Sequence, residues 1–432
     1  MKKIIGVYGT THLALVVSAA FLKKKYKVIL FEKNLSSLKN IEDGKLPIYE
    51  PFVPKILENA KKNKQLTFAY DHKKNLKKIS LLYFAEDSVK TKEGIDLDKL
   101  VKNIKFITSN KKEKFTMIIS SQVPVGTTVN LSNKINLIRK EKIDFVYIPE
   151  FLRLGNAFEL YLKQDYIIIG NDNTKVFVAI SNILKIFSKN IFPMGLSDAE
   201  FSKHFANIFV ASSVSLVSQF SQIADHMGVN LKKVGLALRH DKRIGQKSYI
   251  LPGLGFTGGN IERDLKVVSK LVLTKTKKKP ILLDSILKIN ELHNQIPVNL
   301  IVNKFKNIQN KKISFLGVTY KENTDTLKGS LALEYAKKLQ KLGAIIKMYD
   351  ANLQAKSKFG NIKICKTLND CIKGSDILII VIAKKEYKNL SPKLCSKLMR
   401  SNYIIDAANM LNAEDFKIAG FNYSGIGTGY KF

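Results

Sequence analysis

Residues 3–33 read KIIGVYGTTHLALVVSAAFLKKKYKVILFEK, and this stretch decides the fold. Its opening KIIGVY is a short apolar run rich in β-branched residues, the pattern of a buried strand. Gly9-Thr10-Thr11-His12-Leu13-Ala14 supplies a turn into a helix, and LALVVSAAFLKKK follows with small residues on one side. KVILFEKN is a second strand that ends in Glu32, 23 positions after Gly9. Doubly wound folds hold a dinucleotide with this arrangement, the diphosphate at the helix N-terminus and the acid on the ribose.

The turn departs from G-x-G-x-x-G/A in its middle. Gly9 and Ala14 match the ends, but Thr11 puts a Cβ where the backbone normally approaches a diphosphate. A tight strand-to-helix turn without any ligand fits the same six residues. Glu32 weighs toward a ligand, because a carboxylate accepts from both ribose hydroxyls and repels a 2′-phosphate. NAD is therefore expected over NADP, a preference softened by neighbouring Lys33.

Working outward, LLYFAED, TMIISSQV, FVYIPEF and DYIIIG continue a parallel rhythm, which predicts one doubly wound α/β domain over residues 1–195. From Asp198 to about Gly228 no internal Gly or Pro interrupts the sequence, so a long helix is expected there. A second α/β block starts at KKISFLGVTY and runs through AIIKMYD, DILIIVIA and NYIIDAAN. The expected organisation is a dinucleotide-binding domain at 1–195, a central helical domain at 196–300 and a second doubly wound domain at 301–432.

The 432 residues are 45% hydrophobic and 25% charged, a globular balance with ample core for two or three domains. No apolar run reaches the roughly 18 residues of a membrane span, and the N-terminus enters a strand pattern at once instead of a signal peptide. A cytoplasmic protein without membrane insertion is expected. The net charge is +36, yet it is spread along the chain in lysine pairs and triplets such as Lys23 to Lys25 and Lys277 to Lys279. Solvated helix ends explain these runs, and only six arginines are present for bidentate base readout, so nucleic acid is not an expected partner. The three cysteines, Cys365, Cys371 and Cys395, fit neither a zinc ribbon nor a redox pair; free thiols and no metal site are expected. No thiol chemistry is available in the first 364 residues.

Eight motifs occur in one order: LPIYEP (46–51), SQVPVGTT (121–128), PEFLRLGNA (149–157), AEFSKHFANIFVA (199–211), DKRIG (241–245), PGLGFTGGNIERD (252–264), FLGVTYKENTD (315–325) and IIDAAN (404–409). In order and approximate spacing they resemble the UDP-glucose/GDP-mannose dehydrogenase family over essentially the whole chain. The resemblance implies two Rossmann-like domains joined by a long central helix that builds a homodimer, with the nucleotide sugar held by the C-terminal domain. It implies oxidation of a sugar C6 alcohol to a carboxylate with two NAD, in assembly of a polysaccharide or glycan.

Carried over position by position, the resemblance makes Lys203 and Asn207 the active-site Lys and Asn, and their i,i+4 spacing puts them on one helix face. Asp264 takes the place of the Asp that holds a catalytic water. Gly9, Thr11, Leu13, Glu32, Val123 and Thr127 are the implied cofactor contacts. Glu150, Phe151, Leu152, Gly258, Lys321 and Arg243 are the implied substrate contacts.

Three departures fall on one half of the family chemistry. Asn260 stands at the nucleophilic Cys, Leu154 at the Glu that activates the hydrolytic water, and Gln122 at a hydrogen-bonding Thr. A delocalised amide nitrogen cannot form the thiohemiacetal or thioester that a thiolate forms. In the C-terminal half Lys328 replaces an Arg, and Ala408 replaces the substrate-contacting Arg that the family takes from its partner subunit, losing a planar bidentate donor. The expected activity either stops after one hydride transfer or oxidises the aldehyde hydrate without covalent catalysis, with Asn260 hydrogen-bonding the aldehyde. The competing expectation is a catalytically silent homologue that binds NAD or a nucleotide sugar.

Overall fold

The computed structural model describes residues 4–91, 94–353, 359–360 and 362–430. They fall into two compact units, Met1–Ala206 and Asn207–Phe432.

The first unit contains β1 (Ile4–Tyr8), β2 (Lys27–Phe31), β3 (Leu66–Phe68), β4 (Leu81–Phe84), a hairpin of β5 (Val89–Thr91) and β6 (Gly94–Asp96), then β7 (Phe115–Ile119), β8 (Ile143–Tyr147), β9 (Ile167–Gly170) and β10 (Ile191–Met194). Eight of these form one sheet in the order β10-β9-β8-β7-β4-β1-β2-β3. β1 lies parallel between β2 and β4, so the strand order reverses there, and in such sheets the crevice at the carboxyl ends of the flanking strands binds ligands. The helix His12–Lys23 buries Ala14 through Leu22 without a break, because its small residues let it lie close to the sheet.

One expectation fails at the sheet's edge. β9 meets β8 antiparallel, through Tyr147 and Gly170, and β10 then pairs parallel with β9. The chain between β8 and β9 makes only the six-residue helix Ala157–Leu162. At ~1.5 Å per residue that helix is too short to return the chain along a strand of ~3.3 Å per residue, so the parallel rhythm ends at β8.

The helix Leu196–Met227, 32 residues long, begins in the first unit and ends in the second. Helices Leu231–Leu238, Asn260–Thr276, Ile281–His293 and Ile296–Lys304 follow. The second sheet consists of β11 (Lys312–Leu316), β12 (Ile345–Tyr349), β13 (Lys363–Ile364), β14 (Ile377–Ile380), β15 (Tyr403–Asp406) and β16 (Asn422–Gly425). Its order is β13-β12-β11-β14-β15-β16 with every pairing parallel, the Rossmann order counted from β11. All three cysteines are buried in this unit's apolar core, free of disulfides.

Lys23, Lys24 and Lys25 are exposed at the C-terminal end of their helix, and Lys277 terminates another in a left-handed conformation. Basic side chains are favoured at that end of the helix dipole. Among the described residues no helix is long and apolar enough to cross a membrane.

Candidate active site

In the first unit the dinucleotide turn is closed by its own side chains. Gly9 has φ +120°, and a Cβ there would lie 3.1 Å from the Ala85 carbonyl, so only glycine fits. The Thr11 hydroxyl donates to the Ala85 carbonyl at 2.8 Å and accepts weakly from the Ala14 amide, capping the helix. The middle residue is therefore committed to the protein, and the amides of His12 and Leu13 keep the outward direction of any first helical turn. Glu32 is buried, with one oxygen accepting from the Asn34 amide at 3.0 Å and the other from the Thr10 hydroxyl at 3.2 Å. Those bonds aim a carboxylate at the end of β2 while leaving it acceptor capacity, which fits a ribose diol.

Two buried acids that no local sequence signal marks brace this unit, Glu50 at the turn and Glu200 at the loop 123–128. Glu50, from LPIYEP, accepts from the amides of Gly155, Ala157 and Phe158 and pairs with His12 Nε2 at 2.7 Å. Burial pushes its carboxyl up, but His12 and those amides outweigh it and hold the group below the ordinary carboxylate range. Glu200 accepts from the Gly126 amide at 2.5 Å and the Thr128 amide at 2.7 Å, filling the N-terminus of the helix Thr127–Leu137. His204 bonds the carbonyl of fully buried Val123 at 2.9 Å, and Thr127 turns its hydroxyl to the Pro124 carbonyl at 2.6 Å. The long helix is thus pinned to the loop 123–128 on either side of Lys203.

Lys203 is half-buried with its ammonium 4.8 Å from the Phe151 ring centre. Phe151 packs in turn on Tyr166, and Leu152 lies against the first unit's apolar core. Glu150 is buried and accepts a 2.8 Å hydrogen bond from Tyr83, whose hydroxyl also meets that of Tyr161 at 3.2 Å. Its second oxygen is buried without a hydrogen bond. Burial pushes its carboxyl up to about 8, against the opposing pull of Tyr83 and Lys203. Near neutral pH Glu150 is therefore a carboxylic acid able to donate. Leu154, half-buried nearby in sequence, brings no such group.

In the second unit the loop 252–259 is held as a shaped strap. Asn294 accepts from the Gly255 amide and Asn290 from the Phe256 amide, both at 2.8 Å, while His293 meets the Gly253 carbonyl at 2.8 Å. Asn409, from IIDAAN, donates to the carbonyls of Pro252 and Ile426. Gly258 has φ +83°, and a Cβ on it would strike the Tyr320 ring at 2.6 Å. Asn260 follows as the first residue of its helix, with an exposed side chain. One turn on, Asp264 is fully buried, accepts from the Asn207 side-chain amide and lies 3.5 Å from Arg263 Nε. Asn207 and Asp264 are therefore brought together. Arg243 instead pairs with Asp241 at 2.6 Å, its side chain 89% exposed, and Lys321 is exposed beside half-buried Tyr320.

The second Rossmann-like turn is filled by a carboxylate of its own. Asp350 at the end of β12 accepts from the amides of Val318 (2.7 Å) and Thr319 (2.9 Å) and pairs with buried Lys384. Burial pushes Asp350 up, yet Lys384 and the amides hold it below its ordinary range. The amides of this second turn are thus occupied by the protein's own carboxylate.

Comparison with known proteins agrees with this division. The UDP-glucose/GDP-mannose dehydrogenase family's NAD binding domain matches residues 3–188, its central domain residues 197–292 and its UDP binding domain residues 314–413. The chain is 27% identical over 434 residues to UDP-glucose 6-dehydrogenase TuaD of Bacillus subtilis, covering 99% of this chain and 93% of that protein. It is 25% identical over 443 residues to a UDP-glucose 6-dehydrogenase of Pseudomonas aeruginosa, covering 98% and 96%. Its fold matches a UDP-glucose dehydrogenase from Pyrobaculum islandicum with a TM-score of 0.87 at 22% identity, 98% of each chain being covered. A UDP-D-ManNAc dehydrogenase from Pyrococcus horikoshii matches at 0.84 and 22%, with 99% of each covered. With a matching NAD binding domain and UDP-glucose 6-dehydrogenases as its relatives, the chain is an NAD-dependent oxidoreductase acting on CH–OH donors. The chain belongs to the UDP-glucose/GDP-mannose dehydrogenase family, whose members are nucleotide-sugar dehydrogenases.

Proposed function

We propose that this chain oxidises a sugar alcohol of a UDP- or similar nucleotide sugar to the aldehyde and stops there, without a thioester step. The carrying observation is Asn260: an exposed amide stands at the nucleophile position, and every thiol is buried in the core formed by the second sheet. Bound at Gly9, Thr11, Leu13 and Glu32, and reached by the loop of Val123 and Thr127, NAD supplies the hydride acceptor. The carbinol loses one hydride and one proton, and this chain's residues handle the proton and the charge. Lys203 supplies positive charge to the developing alkoxide, and Asp264, oriented by Asn207, takes the proton through water. Glu150, neutral near pH 7, offers a donor with Phe151 and Leu152 beside it. Gly258, Lys321 and Arg243 are assigned to the substrate, which feeds polysaccharide or glycan assembly.

The reading includes a cytoplasmic homodimer. Phe205, Phe209, Leu216, Phe220, Ile223 and Met227 form an exposed apolar series along the long helix, a surface that a second copy would cover. The alternative of a silent binder draws on Thr11 and Asn260; Lys203 and the Asn207–Asp264 pair favour activity. Purified protein given NAD and a panel of nucleotide sugars should form NADH with at least one of them, and Lys203→Ala should abolish it. No turnover across the panel would overturn the proposal in favour of the silent binder.

A further inference from the structure

Behind Glu150 stands a chain of two hydroxyls. Tyr83, on β4, donates to Glu150 Oε1 at 2.8 Å, and Tyr161, on the helix Ala157–Leu162, donates to the Tyr83 oxygen at 3.2 Å. Both phenols are fully buried. Phe21 meets the Tyr83 ring edge-on at 6.2 Å, Phe187 meets the Tyr161 ring at 5.0 Å, and the two phenylalanines meet each other at 5.1 Å. This aromatic packing fixes where both hydroxyls point. The other carboxyl oxygen, Glu150 Oε2, is buried and makes no hydrogen bond. Besides the two tyrosines, the charged group that acts on Glu150 is Lys203 of the long helix.

A phenol has one proton to give. Tyr161 spends its proton on the Tyr83 oxygen, which turns the Tyr83 proton toward Glu150 Oε1. A neutral carboxyl group with one oxygen accepting in this way keeps its own proton on the other. We infer that Tyr83, held by Tyr161, is a positioning residue that keeps the Glu150 proton on Oε2 and offers that atom as a hydrogen-bond donor to the oxygen of the reacting sugar carbon. Beside the Lys203 ammonium, this second donor meets the negative charge that the sugar oxygen gains as its proton leaves. Without the Tyr83 hydroxyl the proton has no reason to prefer Oε2, and the donor loses its fixed direction. The inference rests on the nucleotide-sugar reading and adds to it two residues that none of the eight motifs contains.

The test compares the unaltered chain with Tyr83→Phe and Tyr161→Phe by infrared pH titration and by the pH dependence of kcat. The band followed is the protonated-carboxyl C=O stretch that Glu150→Gln removes, and in the unaltered chain it should titrate at about 8. A donor to a carboxylate favours the ionised form, so Tyr83→Phe should move that midpoint to higher pH by at least about 0.5. The band should also rise in frequency, because its C=O oxygen has lost a donor. kcat should fall about tenfold, its alkaline limb moving the same way, while KM for NAD stays within about twofold. Tyr161→Phe leaves the bond to Glu150 in place and should move the midpoint in the same direction by less, so it decides the matter should Tyr83→Phe melt early. A midpoint moved to lower pH would show that Glu150 donates to Tyr83, and would overturn the inference. An unmoved midpoint, or full kcat in both tyrosine variants, would overturn it as well. Failure of the unaltered protein to turn over any nucleotide sugar would instead overturn the reading on which this inference stands, while the infrared titration still decides which oxygen holds the proton.

Discussion

The side-chain amide of Asn207 donates to the buried carboxylate of Asp264 across 57 positions of sequence. Asp264 is fully buried, so losing that donor leaves a charged acceptor short of a partner. Asn207→Ala should lower unfolding free energy by about 1–3 kcal/mol in denaturant titration. Asp264→Asn, nearly isosteric, should keep the fold but lower kcat about a hundredfold or more while NAD affinity is unchanged. Full kcat in Asp264→Asn would remove it from the proton route.

Glu150 gives the protein a dependence on pH. Its folded-state pKa is raised from 4.5 to about 8, so the protonated form is the one the fold prefers. Its contribution is complete below the unfolded value of 4.5 and is lost as pH rises through about 8. Unfolding free energy measured between pH 5.5 and 8.5 should fall with rising pH by an amount of order a few kcal/mol, and Glu150→Gln should flatten that slope. Parallel slopes for the two proteins would mean that Glu150 is ionised in the folded state.

Glu150, Asn207 and Asp264 mark the limit of what was readable in the sequence. The strand-turn-helix-strand of residues 3–33 and the long helix were legible, because apolar period and the placement of glycine are local properties. Glu150, Asn207 and Asp264 were reached only through motifs, and their partners were not visible at all: Tyr83 lies 67 positions from Glu150 in a strand of uniform burial. Glu200 sits inside AEFSKH, three residues before Lys203, yet its meaning depends on amides at 126 and 128 that another segment supplies. The reversal of β9 escaped because it turns on the length of one short helix, not on strand composition.

Cofactor choice rests on Glu32. Glu32→Gln keeps a hydrogen-bonding end but removes the charge that repels a 2′-phosphate. The ratio of KM values for NADP and NAD should move at least about tenfold toward NADP, about 1.4 kcal/mol. An unchanged ratio would show that Glu32 serves the turn, through Thr10 and Asn34, and not the ribose.

Phe209 is 63% exposed in the middle of the long helix's apolar series. Analytical ultracentrifugation at micromolar concentration should find a dimer, and Phe209→Glu should shift it to monomer by burying a charge in the interface. A monomeric unaltered protein would contradict the homodimer, and a dimer unmoved by the substitution would place the interface elsewhere.

The central claim, a single oxidation ending at the aldehyde, is tested most directly by counting NADH formed per nucleotide sugar consumed, with the product identified by mass. The account predicts a ratio near one and an aldehyde or its hydrate. A ratio near two with a sugar acid as product would contradict it.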